Sequence, residues 1–369
     1  MREIKSLTGL RGYAALWVCL HHYHYGDYTG ELSYYLKLAK QGSWGVIIFF
    51  VLSGFIMAYV YQSWFRDGWN RREYWHFMFI RFARVYPLHL LTLLLWLGFC
   101  LIGFIGYNQN DTAYTFVLNL VLLHAWGFTD AISWNQPSWS ISTELFCYLV
   151  FPVWMLYVRG LKVRNLLPAL VLIMLAILFP PHILLAKAIL SHFGKSLDAQ
   201  RFGYGLSLLS WFMVFALGAV WFQAIRTVRA GQIPANLAVL SGVFLLLLMV
   251  GITDNLPPKV IRPVITLTTA VLIFGLYHQA RLGDWCFGNP VAVFLGNVSY
   301  GLYLSHIMTP LVIDQTFMHL GSALRMTAWP MGAQLIIALA VAALLHYGFE
   351  KPARRWIRSR WTVSRGVPA

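Results

Sequence analysis

Long runs of apolar residues, separated by short polar segments, follow one another along almost the whole chain. A run of about 20 such residues is long enough to cross the hydrocarbon core of a bilayer as an α-helix. We predict membrane-spanning helices at residues 6–25, 43–62, 86–106, 139–158, 166–183, 206–225, 234–252, 262–280, 290–313 and 330–349. A shorter run, residues 114–126, is either an eleventh span or a re-entrant or interfacial segment. The pattern therefore predicts an all-α, polytopic membrane helix bundle of about ten helices.

Composition agrees with this class, because 59% of the residues are hydrophobic and only 11% are charged. No long polar block is left for a soluble domain, so residues 1–369 are predicted to form a single membrane domain with a basic tail at about 351–369. The four cysteines are far apart and form no metal-binding spacing with histidine, so neither a disulfide nor a metal site is expected. The net charge is +15, but the basic residues are scattered between apolar runs, which favours membrane lipid over nucleic acid as a partner.

The distribution of basic residues predicts the orientation. With ten spans and an internal N-terminus, most of the 28 lysines and arginines fall in segments on the inner side. An eleventh span at residues 114–126 would move most of the later basic clusters outside. The excess of Lys and Arg in cytoplasmic segments therefore favours ten spans with both termini in the cytoplasm.

The first predicted helix carries an arginine near its start and a histidine cluster near its end. Arg11 and His22 are eleven residues apart, which is three helical turns plus roughly 20°, so their side chains share a face about 16 Å apart. A neutral imidazole can accept a proton from a hydroxyl group, which is the role of a general base. The alternative is that His22, like His21 and His24 beside it, is only an interfacial side chain.

Two further segments carry polar residues, one at the edge of an apolar run and one inside it. Arg81 and Arg84 are three residues apart, so their guanidinium groups can face one way and bind phosphate. Contact with lipid headgroups, or a role in topology alone, is the alternative. In the second span, Ser53 is a candidate for ligand binding, although Ser53 and Gly54 also suit close helix packing.

Residues 133–144, SWNQPSWSISTE, form a polar and Trp-rich approach to the fourth span. Ser140 and Glu144 are four residues apart on one helix face. Glu144 can orient an imidazole or a substrate hydroxyl, or it is a partly hydrated structural carboxylate. Trp134 and Trp139 add two large aromatic side chains to this approach.

The ninth span carries a polar face of its own. Ser299, Tyr303 and His306 lie at positions i, i+4 and i+7, and His306 lies towards the same side of the membrane as His22. Such a face predicts a cavity inside the bundle, with a structural hydrogen-bond seam as the alternative. The segment at residues 350–355, EKPARR, is better explained as a charge-paired helix end whose long side chains reach the membrane surface.

Six segments together resemble the acyltransferase-3 family of integral-membrane O-acyltransferases. In the family's order they are LTGLRGYAALWVCLHH, FFVLSGFIM, RFARVYPLHL, PSWSISTELFCYLVFP, GNVSYGLYLSHI and EKPARR. The resemblance implies transfer of an acyl group, usually acetyl, from cytoplasmic acyl-CoA to a sugar hydroxyl. The implied acceptors are bacterial surface glycans, such as exopolysaccharide or lipopolysaccharide, or their lipid-linked precursors. The implied location is the bacterial inner membrane.

The resemblance also implies roles for particular residues. Arg11 and His22 match the functional arginine and histidine of the family's first helix, and Arg81 and Arg84 match its RxxR motif, which is attributed to acyl-CoA. Glu144 stands where the family often has two glutamates, but the next residue here is Leu145. Some members carry an extra soluble esterase-like domain, which we do not find in this sequence. The chain is then expected to complete the transfer alone or with a partner.

These inferences combine into one hypothesis. Acyl-CoA, acetyl-CoA by default, docks with its phosphates on Arg81 and Arg84, and Arg11 binds another phosphate or guides the pantetheine arm. His22 either deprotonates the acceptor hydroxyl or carries the acyl group itself. Glu144 or His306 holds the tautomer of His22 or positions the acceptor, and Trp134 and Trp139 stack on its sugar ring.

Two other classes of protein use similar residues. A proton-coupled transporter or flippase of a glycan precursor would also need buried histidine, glutamate and arginine, but no internal repeat is visible. A non-catalytic sensor or scaffold has no need for an arginine aligned with a histidine. The acceptor, the acyl group and the oligomeric state stay open at this stage.

Overall fold

A computed structural model describes residues 3–23, 34–65, 68–129, 131–181, 183, 185, 203–321, 326 and 329–363, and the ordered elements of these residues are all helices. His24 lies outside the described residues, as do parts of the spans predicted at 6–25 and 166–183. The α-helices are α1 (Lys5–Tyr23), α2 (Tyr34–Lys40), α3 (Trp44–Val60), α4 (Arg71–Leu101), α5 (Ala113–Leu120), α6 (Trp139–Gly160), α7 (Val163–Leu178), α8 (Gly203–Ile225), α9 (Gln232–Ile252), α10 (Pro258–Tyr277), α11 (Arg281–Phe287), α12 (Pro290–Ser305), α13 (Met308–His319), α14 (Met331–Leu345) and α15 (Lys351–Val363). A π-helical turn, His346–Glu350, joins α14 to α15. The predicted helical bundle is confirmed.

The number of membrane spans differs from the predicted ten. Seven helices in the described part of the chain are long and apolar enough to cross a membrane, or eight if the pair α12 and α13 counts as one span bent by 59°. The first helix and the 16-residue α7 are not among the seven. The count of ten is therefore not confirmed. The first helix contains Arg11, His21 and His22, which lower its apolar content.

One predicted boundary needs correction, and the segment at 114–126, left open between an eleventh span and a shorter segment, is the shorter one. The span predicted at 86–106 is the end of a 31-residue helix that begins at Arg71, where the Asn70 side chain accepts hydrogen bonds from the backbone amides of Arg72 and Glu73. The segment at 114–126 forms only the eight-residue α5, followed by turns. At 1.5 Å per residue, eight residues give about 12 Å, which is too short to cross a membrane.

Close helix packing at glycines defines the centre of the bundle. A Cβ atom on Gly12 of α1 would lie 2.5 Å from the backbone nitrogen of Gly296 in α12, so the two backbones touch. At the other end of the same pair, the Tyr23 hydroxyl donates to the carbonyl of His306 at 2.7 Å. Because both contacts follow the direction of the chain, α1 and α12 run parallel. Small residues permit such an approach in membrane proteins.

A second close pair is formed by α3 and α8. A Cβ atom on Gly54 would lie 1.8 Å from the carbonyl oxygen of Phe215, and one on Gly218 would lie 2.1 Å from that of Val51. Gly45 at the start of α3 approaches the carbonyl of Ala14 in the same way, at 2.5 Å. The packing alternative for Gly54 is thus correct, and α3 brings its neighbour Ser53 to the interior beside α1 and α6.

The segment between α5 and α6 is held by buried polar contacts that the sequence did not reveal. Asn135 donates to the carbonyl of Leu304 at 3.0 Å and to the Thr92 hydroxyl at 3.2 Å. His89 Nε2 lies 2.9 Å from the carbonyl of Asn119, and Asn119 is also fully buried. These contacts fix the start of α6 against α4 and the end of α12.

Candidate active site

Apart from Trp134, the predicted site residues that the structure describes line two neighbouring cavities, which we name after their charged and titratable residues. The arginine cavity has a volume of about 160 Å³. Its polar lining consists of Arg11, Ser53, Arg81, Arg84, Ser140, Glu144, Tyr148, Ser299, Tyr300 and Tyr303. The histidine cavity has a volume of about 390 Å³. Its polar and aromatic lining consists of His21, His22, Ser43, Trp44, Gln136, Trp139, Trp211, Arg262, Tyr303 and His306.

Tyr303 of α12 lies between the two cavities. Its buried side chain lines both of them, as does that of Val46 on α3. Its ring packs edge-on against Phe49, with the ring centroids 5.8 Å apart, and 5.9 Å from His306. The predicted polar face on the ninth span is therefore divided: Ser299 faces the arginine cavity, His306 faces the histidine cavity, and Tyr303 faces both.

Arg11 and His22 both contact α12, as their spacing on one helix face predicts. Arg11 donates to the carbonyl of Gly296 from Nη2 at 2.8 Å and from Nε at 3.3 Å. Eleven residues later, His22 Nδ1 lies 3.2 Å from His306 Nε2. The parallel packing of α1 and α12 thus aligns one side chain with each cavity.

The hydrogen bonds of the two histidines define their tautomers. His306 Nδ1 lies 2.7 Å from the carbonyl of Tyr303, and a carbonyl can only accept, so Nδ1 carries the proton and Nε2 the lone pair. His22 Nδ1 lies 2.9 Å from the carbonyl of Val18 as well as 3.2 Å from His306 Nε2. Both neighbours require a proton on His22 Nδ1. The lone pair of neutral His22 therefore lies on Nε2, which is the atom able to act as a base.

Glu144 lies in the arginine cavity. Its Oε1 atom accepts hydrogen bonds from the Ser53 hydroxyl at 2.9 Å and from the Tyr148 hydroxyl at 2.5 Å. Ser140, one turn before it on α6, lines the same cavity and donates to the carbonyl of Pro137 at 3.2 Å. Of the two residues proposed to hold the tautomer of His22, the structure brings His306 into contact with it, whereas Glu144 organises the arginine cavity.

The two tryptophans of the approach segment lie in different places. Trp139 lines the histidine cavity and packs on Trp211 with ring centroids 5.4 Å apart. Trp134 is 4% exposed and donates from Nε1 to the Thr115 hydroxyl at 3.1 Å, within a cluster beside α4 that includes Leu93. The position of Trp139 suits the predicted sugar contact. That of Trp134 does not, because its ring is enclosed by protein and its polar atom is already bonded.

Arg81 and Arg84 both face the arginine cavity, as predicted. The Arg81 guanidinium lies over the ring of Tyr61 at 5.3 Å and near that of Tyr148 at 5.9 Å. Its Nη1 donates to Met57 Sδ at 3.4 Å, while its buried Nε has no hydrogen-bond partner among the described residues. Aromatic faces hold a guanidinium without neutralising its charge, so Arg81 keeps the capacity to bind an anion.

The C-terminal helix adds two arginines, Arg354 from the segment predicted to reach the membrane surface and Arg358 from the predicted basic tail. Helix α15 packs on α4 and brings Arg354 close enough to Arg84, and Arg358 close enough to Arg81, for their charges to repel. The nearby Glu350 is paired with His346, whose Nδ1 lies 2.8 Å from Oε2. Four arginines therefore gather at this end of the molecule. Such a cluster suits a ligand with several negative charges.

The family described as "Acyltransferase domain" matches residues 4–347. Acyltransferase MdmB of Streptomyces mycarofaciens is 30% identical over 391 aligned positions, covering 98% of this chain and 94% of that protein. No solved structure matches this chain.

Two relatives with a stated acceptor are longer. The putative peptidoglycan O-acetyltransferase YrhL of Bacillus subtilis is 24% identical over 96% of this chain and 55% of its own length. The peptidoglycan O-acetyltransferase OatA of Listeria monocytogenes is 21% identical over 96% of this chain and 56% of its own length. The chain thus spans slightly more than half of these two relatives.

Proposed function

The chain belongs to the acyltransferase-3 family of membrane O-acyltransferases, and from this premise we propose its donor, acceptor and base. The donor is acyl-CoA, with acetyl as the default acyl group, and the acceptor is a hydroxyl of a glycan or lipid-linked sugar. His22 is the base. One observation carries the proposal: a cavity lined by arginines and a cavity lined by paired histidines meet at Tyr303.

The donor side is assigned to the arginine cavity. Coenzyme A carries a pyrophosphate and a further phosphate, and guanidinium groups bind phosphate through paired hydrogen bonds. Arg81, Arg84 and Arg354 supply these groups, and Arg358 adds charge at the rim. The pantetheine arm then runs along the cavity past Ser53 to Tyr303, so that the thioester approaches the histidine cavity.

The acceptor side is assigned to the histidine cavity. Its aromatic lining, including Trp139 and Trp211, offers flat faces on which a sugar ring can stack, and its volume of about 390 Å³ leaves space for one. Tyr303 and Val46 form the boundary across which the acyl carbon and the hydroxyl have to meet.

His22 supplies the chemistry in this proposal. Its Nε2 accepts the proton of the acceptor hydroxyl as the hydroxyl oxygen attacks the thioester carbonyl. The tetrahedral intermediate then expels the coenzyme A thiolate, which takes the proton back from His22, so that an ester and free coenzyme A are formed. His306 Nε2 and the carbonyl of Val18 together keep the proton of His22 on Nδ1, because both accept a hydrogen bond from it. Transfer through an acyl-His22 intermediate uses the same nitrogen as the nucleophile.

The orientation in the membrane follows from the donor. Acyl-CoA is a cytoplasmic compound, so the end of the bundle that carries Arg81, Arg84 and α15 is placed at the cytoplasm. The N-terminus of α1 lies at this same end, since Arg11 lines the arginine cavity. Both termini are then cytoplasmic and the histidine cavity lies towards the outer face of a bacterial inner membrane.

The test is release of coenzyme A thiol from acetyl-CoA by the purified full-length protein, with and without glycan extract from the host. We expect release that depends on the extract and is lost in His22→Ala. His319→Ala is the matched control, because His319 is exposed on α13 and lines neither cavity in the described structure. A folded protein that releases no thiol with any acyl-CoA would contradict the proposal and favour a transporter, which makes no coenzyme A.

A further inference from the structure

Arg262, in the first turns of α10, lines the histidine cavity together with His22. Its guanidinium lies over the ring of Trp211 with Cζ 4.7 Å from the ring centroid. In the sequence, Arg262 is only the basic residue at the start of the span predicted at 262–280. In the folded chain it is a half-buried cation in the wall of the cavity that holds the base.

No described residue neutralises this cation. The ion pairs within the described ranges are Lys37 with Asp254 and His346 with Glu350, and neither includes Arg262. Arg11 and Arg159, which are also part-buried, each donate to a backbone carbonyl, at 2.8 Å and 2.7 Å. The Arg262 guanidinium has no such acceptor in the described part of the chain, and its contact with Trp211 holds it without cancelling its charge.

We infer that Arg262 binds an oxyanion on the acceptor, so that the acceptor class is an anionic sugar derivative. This inference rests on the proposed function, because it identifies the occupant of the histidine cavity as the acceptor. A half-buried and unpaired guanidinium can donate two parallel hydrogen bonds to a pair of oxygen atoms on one group. A carboxylate and a phosphate both present such a pair. The sugar ring then lies against Trp139 and Trp211, with a hydroxyl directed to His22.

The geometry gives Arg262 a role in selecting and orienting the acceptor. The anion and the reacting hydroxyl belong to one molecule, so an anion held by Arg262 restricts which hydroxyl group reaches His22. A neutral sugar lacks this contact and enters without a fixed orientation. Lys259, one turn earlier on the same helix, is exposed and does not line either described cavity. Its charge is therefore not expected to contact the acceptor.

Binding can be measured without acyl transfer. Full-length wild-type protein in phosphatidylcholine nanodiscs is titrated with three probes: octyl glucoside, octyl glucuronide, and octyl glucosyl phosphate diester. We expect one or both anionic probes to bind about tenfold or more tightly than the neutral one, because a hydrogen bond to a charged group is among the stronger contacts. The glucuronide identifies a carboxylate on the sugar, and the diester identifies the phosphate of a lipid-linked precursor.

The variants decide whether Arg262 is the cause. Arg262→Gln is expected to lose the preference for the anionic probe, Arg262→Lys to keep part of it, and Lys259→Gln to keep all of it. An equal affinity of the wild type for the neutral and anionic probes, or an unchanged preference in folded Arg262→Gln, would overturn the inference. A preference that depends on adding phosphatidylglycerol to the nanodisc would assign Arg262 to lipid headgroups and equally overturn it. Because no probe requires acetyl-CoA, these results are independent of the thiol-release assay.

Discussion

His306 Nε2 lies 3.2 Å from His22 Nδ1, and this contact joins two residues that are 284 positions apart in the chain. His306 is fully buried and donates from Nδ1 to the carbonyl of Tyr303, so its other nitrogen has only the role of acceptor. The proton of His22 is therefore shared between His306 and the carbonyl of Val18. The other ring nitrogen of His22, Nε2, then carries the lone pair.

The two histidines are expected to differ in their effect on catalysis. His22→Ala removes the proposed base and is expected to lower the rate of acyl transfer by about 10²- to 10⁴-fold. His306→Leu removes only one of two acceptors for the His22 proton, since the carbonyl of Val18 remains. A loss of about tenfold is expected there, measured as coenzyme A release under saturating acetyl-CoA.

The ratio of these two effects tests the assignment. His319→Ala, with wild-type activity expected, controls for the loss of an exposed imidazole. Retained activity in His22→Ala removes His22 from the mechanism. A larger loss in His306→Leu than in His22→Ala would make His306 the base and His22 its supporting residue.

The second prediction concerns the contribution of the C-terminal helix to donor binding. Arg354 is half-buried beside Arg84, and Arg355, the next residue, is exposed. Arg354→Gln and Arg84→Gln are expected to raise the KM for acetyl-CoA by about tenfold, because each removes a charged hydrogen-bond donor to phosphate. Arg355→Gln is the matched control and should leave this KM nearly unchanged.

Acetyl-dephospho-CoA, which lacks the 3′-phosphate, shows which phosphate each arginine contacts. If Arg354 contacts that phosphate, Arg354→Gln raises the KM for acetyl-CoA but not for the dephospho compound. An equal rise for both compounds points to the pyrophosphate. No rise for either, in a variant with wild-type melting behaviour, contradicts the placement of Arg354 at the donor site.

The third prediction separates the charge of Glu144 from its geometry. Glu144→Gln keeps an oxygen that accepts from Ser53 and Tyr148, whereas Glu144→Ala leaves both hydroxyls without this acceptor. We expect the alanine variant to lose about 1–3 kcal/mol of stability and the glutamine variant to lose clearly less. The melting temperature in detergent measures this difference. If the two variants melted at the same temperature, below that of the wild type, the fold would require the charge of Glu144 and not its two hydrogen bonds.

Helical periodicity made much of the site predictable within single helices. The spacing of Arg11 and His22 gave their common face, and that of Arg81 and Arg84 gave theirs. Hydropathy located most of the bundle for the same reason, since apolar runs of sufficient length have one stable form in a membrane.

Contacts between residues of different helices could not be predicted from periodicity. A face on one helix does not specify its partner, so the His22–His306 contact and the position of Glu144 beside Ser53 required the fold. Arg262 and Arg354 were missed because basic residues at the ends of apolar runs look the same whether they line a cavity or mark topology. The sequence signal at Trp134 was aromatic content alone, which fits a buried ring and a sugar platform equally well.

The fourth prediction tests the close packing that aligns α3 with α8. A Cβ atom on Gly54 would lie 1.8 Å from the carbonyl oxygen of Phe215, so Gly54→Ala has to separate the helices. A loss of about 1–3 kcal/mol is expected, seen as a lower melting temperature and weaker activity, because Ser53 moves with the helix. Gly98→Ala is the control. It lies in α4 with no atom within 4 Å of the added Cβ, so it should be neutral or stabilising by about 0.5–1 kcal/mol.

The last prediction concerns the boundary between the cavities. Tyr303 lines both, so in the proposed mechanism its ring lies between the thioester and the base. Tyr303→Phe keeps the ring, and its ratio of ester formed to coenzyme A released should match that of the wild type. Tyr303→Ala opens the boundary and admits water to the thioester beside the base. Coenzyme A release without acceptor should then rise relative to ester formation, by about tenfold when a tightly excluded water gains access.

The two products are measured in parallel, as free thiol and as acetyl label in the glycan. If Tyr303→Ala transfers every released acetyl group to glycan, the ring does not guard the thioester, and the exclusion of water has to come from another part of the bundle.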